Sequence, residues 1–113
     1  MEVRAEADFP MSNIARMLVG DDWGVGVCLF FLDAPPGAGP SLHRHPYEEI
    51  LIVTEGEATF FGDAGERVVG EGEVAIVPAG EAHGFTNTGE GRLRQIDIHV
   101  NPRFETDWLE QQD

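Results

Sequence analysis

The sequence of 113 residues has one cysteine, few basic residues and no long apolar run. Cys28 has no second cysteine to pair with, which excludes an intramolecular disulfide, and its apolar surroundings predict a small buried thiol. Seven basic residues stand against 21 acidic ones, so the formal net charge is -14. A surface this negative repels phosphate backbones and anionic lipid, so neither nucleic acid nor a membrane is an expected partner.

No segment has the features of a signal peptide or a membrane span. Residues 1–8 lack the apolar core of a secretory signal, and no apolar run approaches the length needed to cross a bilayer. We therefore expect a cytoplasmic location. The length predicts one domain over residues 1–113, and the 42% of apolar residues is enough for one core.

Short apolar runs recur along the chain, separated by clusters of glycine, proline, aspartate and asparagine. This pattern is typical of an all-β sandwich or barrel. It predicts nine strands, at 15–19, 24–32, 41–44, 49–54, 57–61, 67–69, 74–77, 83–87 and 93–100. The glycine-containing segments 62–65, 70–72 and 88–91 are predicted to be hairpin connections.

Two further segments depart from the simple alternation of a half-exposed strand. The run 50–53 is apolar at every position, so we expect the barrel interior to cover one face and a second sheet or a partner subunit to cover the other. Only segment 105–110 has a helical pattern. Phe104 and Trp108 lie four residues apart there, which predicts one or two helical turns at the C-terminus.

Three of the four histidines and one glutamate have spacings that suit a shared site. His43 and His45 are two apart, so their imidazoles point to the same face of a strand. Glu49 would stand about 13 Å from His45 on a straight strand, so the chain must turn between them, and Pro46 ends a central strand there. His83 can arrive from a separate strand after a turn at 78–80.

Three neutral imidazoles and one carboxylate suit a first-row divalent metal ion, whereas all-oxygen sites suit magnesium or calcium. The alternative is a set of unrelated surface histidines beside turns. The neighbouring residues decide between the two interpretations. With their spacings, ten positions form two blocks, Gly37-x5-His43-x-His45-x3-Glu49-x6-Gly56 and Gly72-x5-Pro78-x-Gly80-x2-His83-x3-Asn87.

These blocks, at 37–56 and 72–87, closely resemble the two defining motifs of the cupin superfamily. All ten fixed identities are present, and the fifteen residues between the blocks resemble the compact spacer of small single-domain microbial cupins. The resemblance implies a double-stranded β-helix, the jelly-roll barrel of this family. It also implies a homodimer and one divalent ion, which is iron, manganese, nickel, zinc or copper in such sites. The ligands that it implies are His43, His45, Glu49 and His83.

Other side chains are candidates for the surroundings of the ion. Tyr47 and Phe85 share the parity of the ligands; they line the cavity or, as we prefer, belong to the apolar core. Gln95, Asp97 and His99 alternate with apolar residues on the last long strand. We expect this polar stripe to face solvent or an interface, since the sequence does not reveal the inward face. If it faces inward, Tyr47, Asp97 and His99 are candidates to orient ligands or transfer protons, and Phe85 and Gln95 to contact the substrate.

The fold does not decide the activity. The three-histidine, one-glutamate set favours a metal-dependent, dioxygenase-like enzyme on a small organic molecule, in which the ion binds substrate oxygens and iron would activate dioxygen. A redox-neutral isomerase or decarboxylase needs an acid–base group in the cavity, for which only Tyr47, Asp97 and His99 are available. A module that binds a small ligand without turning it over is the third hypothesis.

Overall fold

The chain folds into an all-β structure in a computed structural model that describes residues 1–109. A 3-10 turn at Glu6–Asp8 precedes the first strand, and a four-residue helix, α1 (Gly20–Trp23), lies between β2 and β3. The strands are β1 (Met11–Ser12), β2 (Ala15–Leu18), β3 (Cys28–Ala34), β4 (His43–Arg44), β5 (Glu49–Glu55), β6 (Glu57–Gly62), β7 (Gly65–Gly70), β8 (Val74–Val77), β9 (His83–Asn87), β10 (Leu93–His99) and β11 (Asp107–Trp108).

These strands form two antiparallel sheets whose inward side chains make a common core. One sheet has the order β1-β2-β3-β10-β5-β8, and the other has the order β11-β4-β9-β6-β7. Two packed antiparallel sheets whose neighbouring strands are far apart in sequence are consistent with a jelly roll. The predicted all-β jelly-roll class is therefore confirmed, and Cys28 is fully buried as expected.

All nine predicted strands are present, and their ends differ from the predicted ones by a few residues. The largest difference is at β3, which begins at Cys28 rather than at residue 24. Residues 20–23 form α1 instead, and Gly24 ends that helix in the left-handed conformation, at φ 70°. Glycine adopts this conformation without a steric penalty, so it commonly follows a helix.

Only one of the three predicted hairpins is present. Segment 62–65 joins two paired strands, and Gly62 lies opposite Gly65. Segments 70–72 and 88–91 are not hairpins, because β7 and β8 lie in different sheets and so do β9 and β10. A glycine cluster predicts where the chain turns, whereas the packing of two apolar faces decides which strands pair.

The predicted C-terminal helix is wrong within the described residues, and Glu110 lies outside them. Residues 107–108 form β11 instead, with Trp108 opposite His43 of β4. The Leu109 N–H also donates to the carbonyl of Leu42 at 3.0 Å. A helix of one or two turns is marginal on its own, so pairing with a sheet edge outweighs the local helical pattern.

The inward positions of β5 and β10 change from polar to apolar along the barrel. On β5 the inward side chains are Glu49, Leu51 and Val53. On β10 they begin with the apolar Leu93 and end with the polar His99. The two strands are antiparallel with Glu49 opposite His99. One end of the barrel therefore collects polar side chains, while Leu51, Val53 and Leu93 belong to the apolar core.

The outward face of the first sheet is apolar as well. Ile50 and Ile52 on β5 are half-buried and lie opposite Ile76 and Val74 of β8, which are exposed. The inner face of this strand is covered, as predicted. A partner subunit over the outer face stays a prediction. Among the described residues, no helix has the length and apolar character to cross a membrane.

Candidate metal centre

Four buried side chains converge at the polar end of the barrel. His43 lies on β4 and pairs across the ladder with His83, the first residue of β9. His45 follows β4, the chain bends at Pro46, and Glu49 begins β5. One nitrogen or oxygen atom from each of the four lies within 4.8 Å of the others. The predicted turn thus brings together the four residues that the sequence motifs indicate.

Backbone carbonyls fix the hydrogen positions on the three imidazoles. Each ring places its Nδ1 next to a carbonyl oxygen, in the pairs His43–Ser41 at 2.7 Å, His45–Glu105 at 2.8 Å and His83–Glu81 at 2.9 Å. Because a carbonyl oxygen only accepts, each Nδ1 carries the hydrogen and donates it. The neutral ring then has its lone pair on Nε2, the atom that faces the cluster.

The Glu49 carboxylate meets two of these lone pairs. Its Oε1 lies 3.3 Å from Nε2 of His45 and 2.9 Å from Nε2 of His83. Nε2 of His45 is buried and has no hydrogen-bond donor among the described residues. Lone pairs that face each other at these distances repel unless a cation lies between them. The arrangement therefore suits a proton or a metal ion at the common point.

The protonation equilibria of the cluster follow from burial and from these contacts. Burial lowers the pKa of His43 to about 4, so its imidazole is neutral at pH 7. Burial is also the strongest single influence on His83 and acts to lower its pKa, but the contacts with Glu49 and with the Glu81 carbonyl, together with the charges of these two glutamates, outweigh burial, and the pKa is raised. Burial acts to raise the pKa of Glu49, whereas its contacts with the imidazoles of His45, His83 and His99 hold that pKa well below its usual range.

His99 has the opposite arrangement of hydrogens and holds Glu49 in place. Its Nε2 lies 3.1 Å from Glu49 Oε2, and its Nδ1 lies 2.8 Å from the Tyr47 hydroxyl. The carboxylate only accepts, so Nε2 carries the hydrogen and Nδ1 accepts from Tyr47. Burial raises the pKa of Tyr47 to about 12, so this hydroxyl stays protonated. His99 thus binds one carboxylate oxygen and leaves Oε1 to the cluster, the role of a residue behind a metal ligand.

The polar stripe on β10 points inward, so the prediction that it faces solvent or an interface is wrong. Gln95, Asp97 and His99 are 1%, 5% and 4% exposed. Pairing Glu49 with His99 puts this stripe on the inner face and leaves Ile96 and Ile98 half-buried on the outer one. Because side chains alternate along a strand, the register of one pair decides the face of them all.

Asp97 and Gln95 form a buried pair within this stripe. The Gln95 Nε2 donates to Asp97 Oδ1 at 2.7 Å. Burial raises the pKa of Asp97 well above its usual range, and the nearby Glu49 carboxylate adds to the rise. Asp97 therefore keeps its proton to a higher pH than an exposed aspartate does, and it can donate that hydrogen.

A cavity of about 330 Å³ opens beside the cluster. His43, Asp97 and His99 are among its polar lining, whereas Gln95, which contacts Asp97, is not part of the lining. Phe85 lines the cavity and also belongs to the core, where its ring stacks on Phe60 with the centroids 5.1 Å apart. Phe85 therefore lines the cavity and belongs to the apolar core at the same time.

The C-terminal segment closes one side of this cavity, a position that its sequence does not predict. Phe104, Thr106 and Trp108 all line it. The Trp108 and His43 rings lie 4.9 Å apart between centroids, and those of Phe104 and His99 lie 5.5 Å apart. The spacing of Phe104 and Trp108 is the only feature of the sequence that bears on the position of this segment. That spacing suits a helix as well as a segment that covers the site.

Comparison with known proteins gives one family match that covers the cluster. The sequence profile described as "Cupin domain" matches residues 30–99. The chain is 39% identical over 86 residues to germin-like protein 3-8 of Oryza sativa subsp. japonica, an alignment that covers 71% of this chain and 38% of that protein. The chain spans 20% and 38% of the lengths of the two curated relatives that it matches.

Solved structures share the fold of most or nearly all of the chain. A Klebsiella pneumoniae protein with a double-stranded β-helix domain has a TM-score of 0.78 and 20% identity, with 98% of this chain and 99% of that chain covered. A sugar phosphate isomerase of Silicibacter pomeroyi DSS-3 has a TM-score of 0.66 and 29% identity, with 77% of this chain and 58% of that chain covered. The first of these likenesses concerns the fold alone.

Asp97→Asn is expected to change the pH dependence of stability of the metal-free protein. Folded Asp97 keeps its proton above pH 3.8, where the unfolded chain loses it, so this group makes the wild-type free energy of unfolding fall as pH rises. The variant lacks this loss, so its stability relative to wild type rises by up to about 1.4 kcal/mol per pH unit. Urea unfolding from about pH 4.5 to 8 measures it, with the exposed Glu55→Gln as control. A difference that stays constant or falls with pH contradicts the prediction.

Proposed function

The chain belongs to the cupin domain family, and from this premise we propose that it is a metal-dependent enzyme acting on a small organic molecule. The ion is one divalent first-row transition metal. The observation that carries the proposal is the set of imidazole lone pairs that backbone carbonyls direct at one carboxylate oxygen. The proposed ligands are His43, His45, Glu49 and His83.

The donor set fits such an ion in distance and in chemistry. Opposite ligand atoms around an ion with bonds of about 2.2 Å lie about 4.4 Å apart. The four donor atoms already lie within 4.8 Å of one another, so small side-chain movements suffice. Imidazole nitrogens with one carboxylate suit iron, manganese, nickel, zinc or copper. A cation also removes the repulsion between Glu49 Oε1 and the lone pair on His45 Nε2.

We propose a redox-neutral proton transfer as the reaction, of the isomerase or decarboxylase type. The bound ion would act as a Lewis acid on the substrate oxygens. Asp97 lies on the inner face of β10, one strand repeat or about 7 Å from His99, and it lines the cavity. As a buried acid with a raised pKa, Asp97 can give a proton to the substrate and take it back. The 29% identity with a sugar phosphate isomerase supports this class of reaction.

His99 and Tyr47 have a positioning role in this proposal. The Tyr47 hydroxyl donates to His99, and His99 donates to Glu49, so the three form a chain of hydrogen bonds that ends at a ligand. Such a chain holds the carboxylate orientation and the imidazole tautomer. The remaining acid–base candidate that faces the cavity is Asp97.

A dioxygenase-like enzyme is the second candidate function. The observation that favours it is the apolar wall of the cavity, where Phe30, Leu32 and Phe85 lie beside the proposed ligands. A dry pocket protects reactive intermediates from water. A module that binds its ligand without turnover is the remaining outcome, and an assay of hydrogen exchange and oxygen uptake separates the three.

Metal binding is tested first, with two neighbouring glutamates as a matched pair. Glu49 is buried in the cluster, whereas Glu48 is exposed. Titration of metal-free protein with Co(II), followed by its visible absorption, is expected to give one site in the wild type and in Glu48→Gln. Glu49→Gln should bind Co(II) more than roughly 100-fold more weakly, because loss of a ligand costs more than loss of an outer hydrogen-bond partner, for which roughly 100-fold is the upper range. Equal affinities in the folded variants, confirmed by circular dichroism, contradict the proposed ligand set.

The reaction class is tested with metal-loaded protein and α-hydroxyketones in deuterated water. We expect exchange of the carbon-bound hydrogen beside the carbonyl, seen by NMR, without oxygen consumption. Asp97→Asn should slow the exchange by about 100-fold or more while Co(II) affinity stays unchanged. Oxygen uptake without exchange supports the dioxygenase instead. Ligand binding with neither exchange nor oxygen uptake, across the five metals, supports a binding module.

A further inference from the structure

The cavity beside the cluster has no cationic side chain in its lining, as far as residues 1–109 are concerned. Its polar lining consists of imidazoles, carboxyl groups, hydroxyls and one amide. The rest is largely apolar, and the main apolar contributors are Ile14, Met17, Phe30, Leu32, Phe85 and Trp108. The only positive charge that the site offers to a ligand is therefore that of the bound metal ion.

The basic side chains of the protein all lie elsewhere. The sequence has seven basic residues, and every one is an arginine. Five of them form ion pairs with carboxylates outside the cavity, namely Arg4, Arg44, Arg92, Arg94 and Arg103. Arg16 donates to the carbonyls of Ala7 and Phe9. Arg67 lies on β7 and lines a different groove.

A ligand with a second anionic group would therefore be poorly accommodated. A phosphate or carboxylate moved from water into this cavity loses its hydration, and a buried charge without a partner is costly. A site that binds phosphate or two carboxylates normally presents arginine or lysine to them.

We infer that the substrate carries no anionic group beyond the oxygens that bind the metal ion, and that it has a compact apolar body. This inference rests on the proposed function, since the metal ion is the anchor for the oxygen atoms. The apolar body packs against Met17, Phe30 and Phe85, and a hydroxyl or carbonyl group reaches Asp97. The inference sets this chain apart from the structural neighbour described as a sugar phosphate isomerase, although the proposed reaction class is shared.

Two ligands that differ by a single carboxylate test the inference. Catechol and 3,4-dihydroxybenzoate offer the same pair of metal-binding oxygens, and 4-methylcatechol has an uncharged substituent at the same position. Binding to Co(II)-loaded protein is measured by the change in the Co(II) absorption. We expect both uncharged ligands to bind at least about 10-fold more tightly than 3,4-dihydroxybenzoate, which corresponds to about 1.4 kcal/mol.

Two variants that each introduce one arginine separate the effect of the cavity from the intrinsic metal affinity of the ligands. Met17 and Leu18 are neighbours on β2, and only Met17 lines the cavity. Met17→Arg should tighten 3,4-dihydroxybenzoate at least about 10-fold relative to catechol, whereas Leu18→Arg should leave the ratio unchanged. Equal or tighter binding of the acid by the wild type overturns the inference. Absence of the Co(II) spectrum before any ligand is added would instead overturn the proposed function, and the inference with it.

Discussion

The hydrogen bonds from three imidazole Nδ1 atoms to backbone carbonyls are the constraint on which the site depends. They come from different parts of the chain: Ser41 and Glu81 lie two residues before His43 and His83, whereas Glu105 lies sixty residues after His45. Each bond forces the lone pair onto Nε2, and the folding of the barrel then aims these lone pairs at Glu49. Without them the rings could present either nitrogen, and the cluster would lose its common point.

The two ends of the barrel have different roles: one end contains the apolar core that stabilises the fold, and the other contains the polar site. The same two strands, β5 and β10, supply Leu51, Val53 and Leu93 to the apolar core and Glu49 and His99 to the polar end. Burying the apolar part holds the strands in register, and that register brings Glu49 opposite His99. Polar groups that would be costly to bury singly are buried as a set, in which Glu49 contacts His99 of the neighbouring strand and Asp97 accepts a hydrogen bond from Gln95.

Much of this arrangement could be predicted from local sequence. The ten motif positions predict the cluster, and apolar runs between glycines predict the strands, because both signals act over a few residues. The face of Gln95, Asp97 and His99 could not be predicted, since alternation allows two registers and a distant partner strand selects one. Segment 104–108 could not be predicted either, because its contacts with His43, His45 and His99 are long-range. The local spacing of its aromatic residues favours a helix, but the segment pairs with the edge of β4 instead.

The hydrogen position on each histidine ring, measured by long-range ¹⁵N–¹H NMR of the metal-free protein near pH 7.5, tests the proposed metal centre most directly. We expect hydrogen on Nδ1 for His43 and His45, with a neutral ring for His43, and hydrogen on Nε2 for His99. Hydrogen on Nε2 of His43 or His45, or on Nδ1 of His99, would mean that the lone pairs do not converge on Glu49, and the proposed metal centre would lose its physical basis.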